Sequence, residues 1–479
     1  MIRHDNKYVI PMFITILYIG SIAQTSPVSL SRCIPDLHPN PLEIKETGSA
    51  SYKLLIITPA LFYNELKRLQ DHKDSTGLPT MIVNLSEIYN QFKDEGRDNA
   101  ERIKYYIKYA IEEYNIQYVL LVGGRSSPFS WYLPVRYVHM EDTWESSYIS
   151  DLYYADIYDA NGSFCSWDSD NDGIYGEWYI NSTADDVHID LYPDVALGRL
   201  ACRSRYEVSI MVDKIISYEK GRLDQCNDSW FKRFLVVAGD TYPEHINPNW
   251  SGYEGEYYGD RAIENMSGFI PTRLYTSDGS FSSKTDVINA FNNGYGFVYF
   301  VGHGSPKTWG NHPPDSEDFV KGLLVNDMWR LRNGYRLPVC VVSGCHNCQF
   351  DVDLLKFFNK TTRYRQEALY ECWGWRMTTQ RRGGSIATVG CTALGYTKED
   401  KQSFKGGLNE IEVLFFNVYD KSNMTTLGDV FNEAITMYLD TYPVNTSTPG
   451  CGDSWIDAKV VQSWVLLGDP SLRIRDKYI

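Results

Sequence analysis

Short apolar runs, each closed by glycine or a polar tip and followed by residues in a helical period, recur along this chain. In the first half the pattern predicts strands at 52–58, 80–84 and 118–122 and helices at 59–73 and 99–114. Pro59 suits the start of the first helix, and Gly123-Gly124 closes the third strand. Alternation of this kind predicts a parallel sheet covered by helices. An irregular acidic stretch from about 140 to 195 follows, then a helix at 204–220. The second half repeats the logic with a strand at 234–238 ending in Gly239-Asp240, a helix at about 254–266, and further strands at 297–301, 337–342 and 385–389. The fold class expected is α/β, with two parallel-sheet subdomains at 51–230 and 231–479. No internal repeat of fixed period is visible.

Two strand ends carry reactive side chains. Phe297-Val298-Tyr299-Phe300-Val301 runs into Gly302-His303-Gly304, and Leu337-Pro338-Val339-Cys340-Val341-Val342 runs into Ser343-Gly344-Cys345-His346. About 42 residues separate His303 from Cys345, enough for the connection that parallel neighbours need. In an open α/β sheet both side chains then leave the carboxyl ends of their strands along the same edge. An imidazole there can draw off a thiol proton and return it to a leaving amine. The flanking glycines would let the backbone approach a substrate closely, with the Gly304 and Cys345 amides holding an oxyanion. Asp240, at the tip of another strand of the same half, is placed to orient the imidazole. The plainer alternatives are a loop histidine without chemical duty and a carboxylate that satisfies turn amides.

Composition and charge narrow the function. With 43% hydrophobic and 14% aromatic residues among 479, the chain can bury a sizeable core. Residues 1–23 have the three parts of a secretory signal: Arg3 and Lys7, an apolar stretch, and Ser21-Ile22-Ala23 before the expected cut. Residues 24–50, rich in Pro and Ser, read as a flexible lead-in. No later window offers about 18 consecutive apolar residues, so no stable membrane span is expected in the mature chain. The net charge of −15 becomes −16 once Arg3, Lys7 and Asp5 leave, which argues against nucleic acid as a partner. Nine Asn-x-Ser/Thr sequons, at Asn84, Asn161, Asn181, Asn227, Asn249, Asn265, Asn359, Asn423 and Asn445, suit a secreted glycoprotein.

Ten cysteines in an exported chain predict some disulfides, with Cys345 free and Cys33 or Cys348 as a second unpaired thiol. Cys345-x-x-Cys348, near Cys340 and His346, has the spacing of half a zinc or redox site, but no second pair follows it. Asp168-Ser-Asp170-Asn-Asp172-Gly173-Ile174-Tyr175-Gly176-Glu177 places oxygen ligands at alternate positions before a turn glycine. That is how a loop wraps Ca²⁺, here with Asp168, Asp170, Asp172 and Glu177 as ligands and Asp190 and Asp194 as further candidates. Tyr179 at the twelfth position departs from an EF-hand.

Taken in order, Gly302-His303-Gly304-Ser305 with Trp309, the strand into Ser343-Gly344-Cys345, Ser385-Ile386-Ala387 and the closing Leu467-Gly468-Asp469-Pro470-Ser471-Leu472 resemble the gingipain-type cysteine peptidases, relatives of caspases and legumains. Ser150-Asp151-Leu152-Tyr153-Tyr154-Ala155-Asp156 and Pro193-Asp194-Val195-Ala196-Leu197-Gly198-Arg199 extend the resemblance over about 52–474. It implies a caspase/hemoglobinase-like fold, a His303/Cys345 dyad, endopeptidase action on proteins or peptides, and bound calcium. Asp240 matches the acidic position contacting the histidine, and Glu256 falls where an acidic residue shapes a pocket for Arg or Lys. The rival expectations are a secreted binding or adhesion module without turnover, and a metal- or thiol-handling protein built on the 340–348 cysteines.

Overall fold

The apolar runs of the first half pair into one parallel sheet, in the order Thr80–Asn84, Leu54–Thr58, Tyr118–Val122, Ala196–Leu200. Three of these strands are buried along their whole length, as a sheet with helices on both faces requires. Local chemistry sets the element ends. Asp98 caps the helix Asn99–Tyr114 by accepting from the Glu101 amide, and Asn115, in the left-handed region at φ 58°, ends it. The computed structural model describes residues 51–475, apart from 143, 180–183, 224–227, 245–251, 401–402, 423 and 445–453. The expected leader and lead-in, the sequons at Asn181, Asn227, Asn249, Asn423 and Asn445, and Cys33, Cys226 and Cys451 lie outside the described residues. No helix among the described residues is long and apolar enough to cross a membrane.

The second half forms a six-stranded sheet ordered Ile270–Tyr275, Arg233–Ala238, Phe297–Val301, Val339–Ser343, Ala387–Cys391, Trp464–Leu467. The first five strands are parallel and the last is antiparallel. The histidine strand Phe297–Val301 and the cysteine strand Val339–Ser343 are direct neighbours, paired from Phe297 opposite Val339 to Val301 opposite Ser343. Their connection is a small antiparallel meander of His303–Gly304, Thr308–Asn311 and Val320–Leu324, then a short 3-10 helix Val325–Arg330.

The closing motif returns to the first sheet. The Gly468 amide donates to the Arg199 carbonyl at 3.0 Å, and a side chain on Gly198 would run to 2.5 Å from the Gly468 carbonyl oxygen. Lys73, almost fully buried, bridges Asp469 at 2.8 Å and Glu219 at 2.7 Å. Arg199 clasps Asp151 through two bonds of 2.6 and 2.7 Å and lies over the Phe350 ring, just past the cysteine turn. The motif residues at 150–156, 193–199 and 467–472 are thus the joint between the two sheets.

The seven described cysteines are all free and buried, a correction to the expectation of disulfides among them. Cys340, Cys348, Cys372 and Cys391 are wholly inaccessible and pack as small apolar side chains.

Candidate active site

Register sets where the two strand ends lie. His303 and Cys345 each lie two residues beyond the last paired positions, Val301 and Ser343, at the carboxyl ends of adjacent parallel strands. The backbones there touch. A side chain on Gly304 would stand 2.6 Å from the carbonyl carbon of Gly344, and one on Gly344 would stand 2.9 Å from the Gly304 Cα. Either position would also collide with Asn347 Oδ1. The expected role of these two glycines, close approach to substrate, therefore acquires a nearer cause: they let the two strand ends meet. Asn347, fully buried, fastens them by donating to the carbonyls of Ser305 at 2.8 Å and Thr308 at 3.2 Å. Trp309 adds a bond from Nε1 to the Ser343 carbonyl at 3.2 Å.

His303 Nε2 lies 2.7 Å from the Thr241 carbonyl. A carbonyl only accepts, so Nε2 carries a proton and Nδ1 is left as the acceptor of the neutral ring. Burial, then the nearby His312, push the imidazole down to about 4, with the Thr241 carbonyl pulling the other way. Burial pushes the Cys345 thiol up, and its Sγ faces the Gly395 carbonyl at 3.8 Å. Both shifts favour the uncharged form of each side chain.

The buried neutral histidine has a consequence for stability. An unfolded histidine takes up a proton near pH 6.5, the folded one only near pH 4, so stability is present above about 6.5 and is lost as pH falls towards 4. That is about 3 kcal/mol at the acid end. Acid unfolding of His303→Asn, compared with the parent between pH 7 and 4, should show a shallower loss. Parallel curves would remove His303 as the acid-sensitive group.

Asp240 sits one residue before Thr241, with its amide on the His312 carbonyl at 3.0 Å and its Oδ2 accepting from the Asp315 amide at 2.8 Å. The acceptor on the His303 ring is thus the Thr241 carbonyl, while the Asp240 carboxylate holds the loop after His312. Glu256, in the first turn of Glu254–Asn265, accepts from the Ser277 amide at 3.0 Å, the Ser277 hydroxyl at 2.5 Å and Thr276 Oγ1 at 3.4 Å. Thr276 Oγ1 also lies within bonding distance of the His312 carbonyl, so Glu256 connects through Thr276 to the backbone of His312, whose ring packs against that of His303. Burial raises its carboxyl and the Ser277 donors oppose the rise.

A profile of peptidase family C25 matches residues 47–475, nearly the whole described chain. The chain belongs to peptidase family C25. It is 21% identical to Gingipain R2 of Porphyromonas gingivalis over 438 residues, covering 91% of this chain and 47% of that protein. Lys-gingipain of the same organism is 26% identical over 213 residues, 44% of this chain and 10% of that protein. An uncharacterized protein of Archaeoglobus fulgidus is 23% identical over 410 residues, covering 81% and 88%. This C25 chain spans about half the length of the first of these relatives or less. Among solved structures, the Arg specific cysteine proteinase gingipain R (RGPB) superposes with TM-score 0.59 at 17% identity, covering 90% of this chain and 79% of that one. The gingipain-type, caspase-like α/β fold expected from the sequence is therefore the fold observed.

Away from the dyad, the C25 chain gathers carboxylates where the loop pattern placed them. Carboxylate oxygens of Asp168, Asp170 and Asp186 lie within 4.8 Å of one another, as do those of Asp170, Asp172 and Glu177. Asp186 was not legible as a member. It joins through Oδ1 on the Ser169 amide at 2.5 Å and Oδ2 on the Glu177 amide at 3.2 Å. Asp190 and Asp194, expected as further ligands, are elsewhere: Asp194 accepts from the amides of Ile157 and Tyr158, and Asp190 from Tyr192. Their short side chains are spent on backbone amides of the loops around them. Burial and then the neighbouring carboxylates raise Glu177 to about 7. Arg97 offsets part of the charge through Asp168 at 2.5 Å.

The zinc-like spacing of Cys345 and Cys348 does not become a site. Cys348 Sγ is wedged in the core 2.6 Å from where a side chain on Gly374 would stand, and the metal-type clusters among the described residues are carboxylates. Thr241, Asn347 and Gly395 lie around the ends that carry His303 and Cys345, and Asn311 joins Thr241 Oγ1 to the Val301 carbonyl. Sequence reasoning missed them, because carbonyls and buried amides leave no spacing signal.

Proposed function

We propose that this protein is an exported cysteine endopeptidase with Cys345 as nucleophile and His303 as acid and base. The observation that supports the reading is the parallel register of Val301 with Ser343, two residues before His303 and Cys345, at the carboxyl ends of neighbouring strands. His303 Nδ1 takes the thiol proton as Sγ attacks the peptide carbonyl carbon. The tetrahedral oxyanion rests on the Gly304 and Cys345 amides, the proton passes to the leaving amine nitrogen, and the C–N bond breaks. Water, deprotonated by His303 Nδ1, then adds to the thioester carbonyl, the C–S bond breaks, and Nδ1 returns the proton to Sγ. Uncharged resting partners suit a thiolate formed only when substrate is in place. Export, with glycosylation at surface sequons, rests on the leader pattern at 1–23.

Bound calcium belongs to the same reading. Asp168, Asp170, Asp172, Glu177 and Asp186 would hold it, an all-oxygen, carboxylate-rich set of the kind Ca²⁺ selects. The ion would neutralise a charge cluster that Arg97 alone does not balance. Its role is structural support of the loop, remote from the dyad in sequence.

Substrate choice is proposed from the relatives' names, Arg specific and Lys-gingipain, together with the buried carboxylate of Glu256 near the histidine side of the site. Digestion of a peptide library by the parent and by Cys345→Ala tests the peptidase reading, and the P1 profile tests specificity. Glu256→Gln should cut turnover of Arg and Lys substrates about tenfold while Ala and Asn substrates change less than about threefold, since the amide keeps shape and loses charge. An equal loss on all substrates would assign Glu256 to the turn at Thr276-Ser277 alone.

A further inference from the structure

His346, the residue after the nucleophile, has a backbone uncommon for any residue but glycine. Its φ is 60°, in the left-handed region that side chains with a Cβ seldom occupy. Something must hold it there. The His346 amide donates to the Ala393 carbonyl at 2.9 Å, ring Nδ1 lies 3.2 Å from the Thr392 carbonyl, and ring Nε2 lies 3.4 Å from Glu145 Oε2. The ring therefore links three chain segments: the cysteine turn, the end of the strand Ala387–Cys391, and the loop before Ser147–Ile149 of the first half.

Glu145 is itself fixed. Its Oε1 accepts from the Leu394 amide at 2.8 Å and from Lys459 Nζ at 2.7 Å, and Lys459, wholly buried, also pairs with Asp142. The same carboxylate thus secures both the His346 ring and the 392–396 loop whose Gly395 carbonyl faces the thiol. On the other side of the turn, Asn347 ties to Ser305 and Thr308, beside His303. Consecutive residues after Cys345 anchor in opposite directions.

The His346 side of the turn borders a polar cavity of about 140 Å³, lined by Glu145, His346, Gln349, Asp351, Arg365 and Glu367 among others. That wall is mainly polar, unlike the closely packed strands beneath it. The ring's polar ties there act beside the backbone bonds from the His346 amide to Ala393 and from the Cys348 amide to the Cys391 carbonyl at 3.0 Å.

We infer that His346 is a positioning residue for Cys345: clamped between Glu145 and the Thr392 carbonyl, its imidazole holds the nucleophile's turn in the left-handed conformation that aims the thiol along the cleft. The inference rests on Cys345 being the nucleophile of the proposed peptidase. Loosening of the turn misplaces Sγ by a fraction of an ångström, which acts on the chemical step more than on substrate binding.

His346→Gly isolates the ring, because glycine adopts φ 60° without strain and the backbone keeps its path. The expected result is a kcat about 30-fold lower with KM within about threefold of the parent and an unchanged melting temperature. His346→Asn, a residue tolerated in the left-handed region and bearing a short donor, should recover kcat to within about fivefold of the parent. A glycine variant with kcat within threefold of the parent overturns the inference, as does an asparagine variant no better than glycine. A loss that appears only as higher KM or a lower melting temperature overturns it too, since it would mark a purely structural residue. Cleavage that survives Cys345→Ala would instead fail the peptidase reading, and the two failures are separate measurements.

Discussion

Cys345→Ala should abolish peptide cleavage, and His303→Ala should lower it nearly as far, each by about three orders of magnitude or more, because a covalent mechanism without its nucleophile or its proton carrier keeps only binding and oxyanion stabilisation. The fold should persist. Cys345 ends a strand whose core contacts come from residues before it, and its loss removes one sulfur beside a carbonyl rather than a buried ladder bond. The measurement is kcat/KM on a substrate found by library digestion, with melting temperature as the control. Alkylation gives an independent line: at 6% exposure Cys345 is the most accessible of the seven described cysteines, against 0–4% for the rest, so it should label first among them. Its raised thiol also predicts labelling that accelerates with rising pH instead of one already fast at neutrality. Cleavage by pure Cys345→Ala at the parent's rate would end the cysteine-peptidase reading.

Calcium should raise the melting temperature, and the size of the effect should depend on pH in a direction the carboxylate cluster fixes. A ligand that binds only the folded state stabilises by about 2.7 kcal/mol at a hundred times its dissociation constant. Without the ion, Glu177 holds its proton up to about pH 7, above the usual carboxylate range, so its contribution is favourable in acid and is lost as pH rises through 7. Compared with Glu177→Gln, the metal-free parent should therefore lose stability as pH rises from 5 to 7, and added calcium should offset that loss because binding requires the deprotonated carboxylates. Asp170→Ala combined with Asp172→Ala should erase the calcium response without touching the dyad. An unchanged response in that double variant would move the ion to other ligands.

Much of the fold and of the candidate site is legible in the amino-acid sequence. The apolar runs at 54–58, 118–122, 234–238 and 297–301 are strands because a parallel sheet covered on both faces needs continuous apolar sequence, and that requirement is written residue by residue. That the strands ending before His303 and Cys345 are parallel neighbours follows from two such runs ending in glycine and a reactive side chain, and the carboxylate cluster at Asp168, Asp170, Asp172 and Glu177 follows from their alternate spacing. These are local signals. What the sequence leaves open is set by contacts between segments far apart in the chain. Asp186, a ligand candidate 18 residues past Asp168, enters only because the loop folds back onto Ser169 and Glu177. The imidazole is oriented by a backbone carbonyl at Thr241, and a carbonyl is present in every residue, so no pattern could single it out.

The same division explains the glycines and the clamp. The sequence places glycine at 304 and 344 without the reason, since the obstacle is the other strand's backbone together with Asn347. Lys459 lies 114 positions beyond Cys345, and nothing in its neighbourhood marks it, yet it fixes Glu145 and through it His346. By itself the sequence determined which stretches are buried strands, which residue types carry chemistry, and on which edge they emerge, because periodicity and side-chain chemistry are properties of the chain. Only the tertiary structure decided charge states, hydrogen-bond partners and the neighbours that aim each group, because desolvation and contact distance exist only once remote segments have closed around the site.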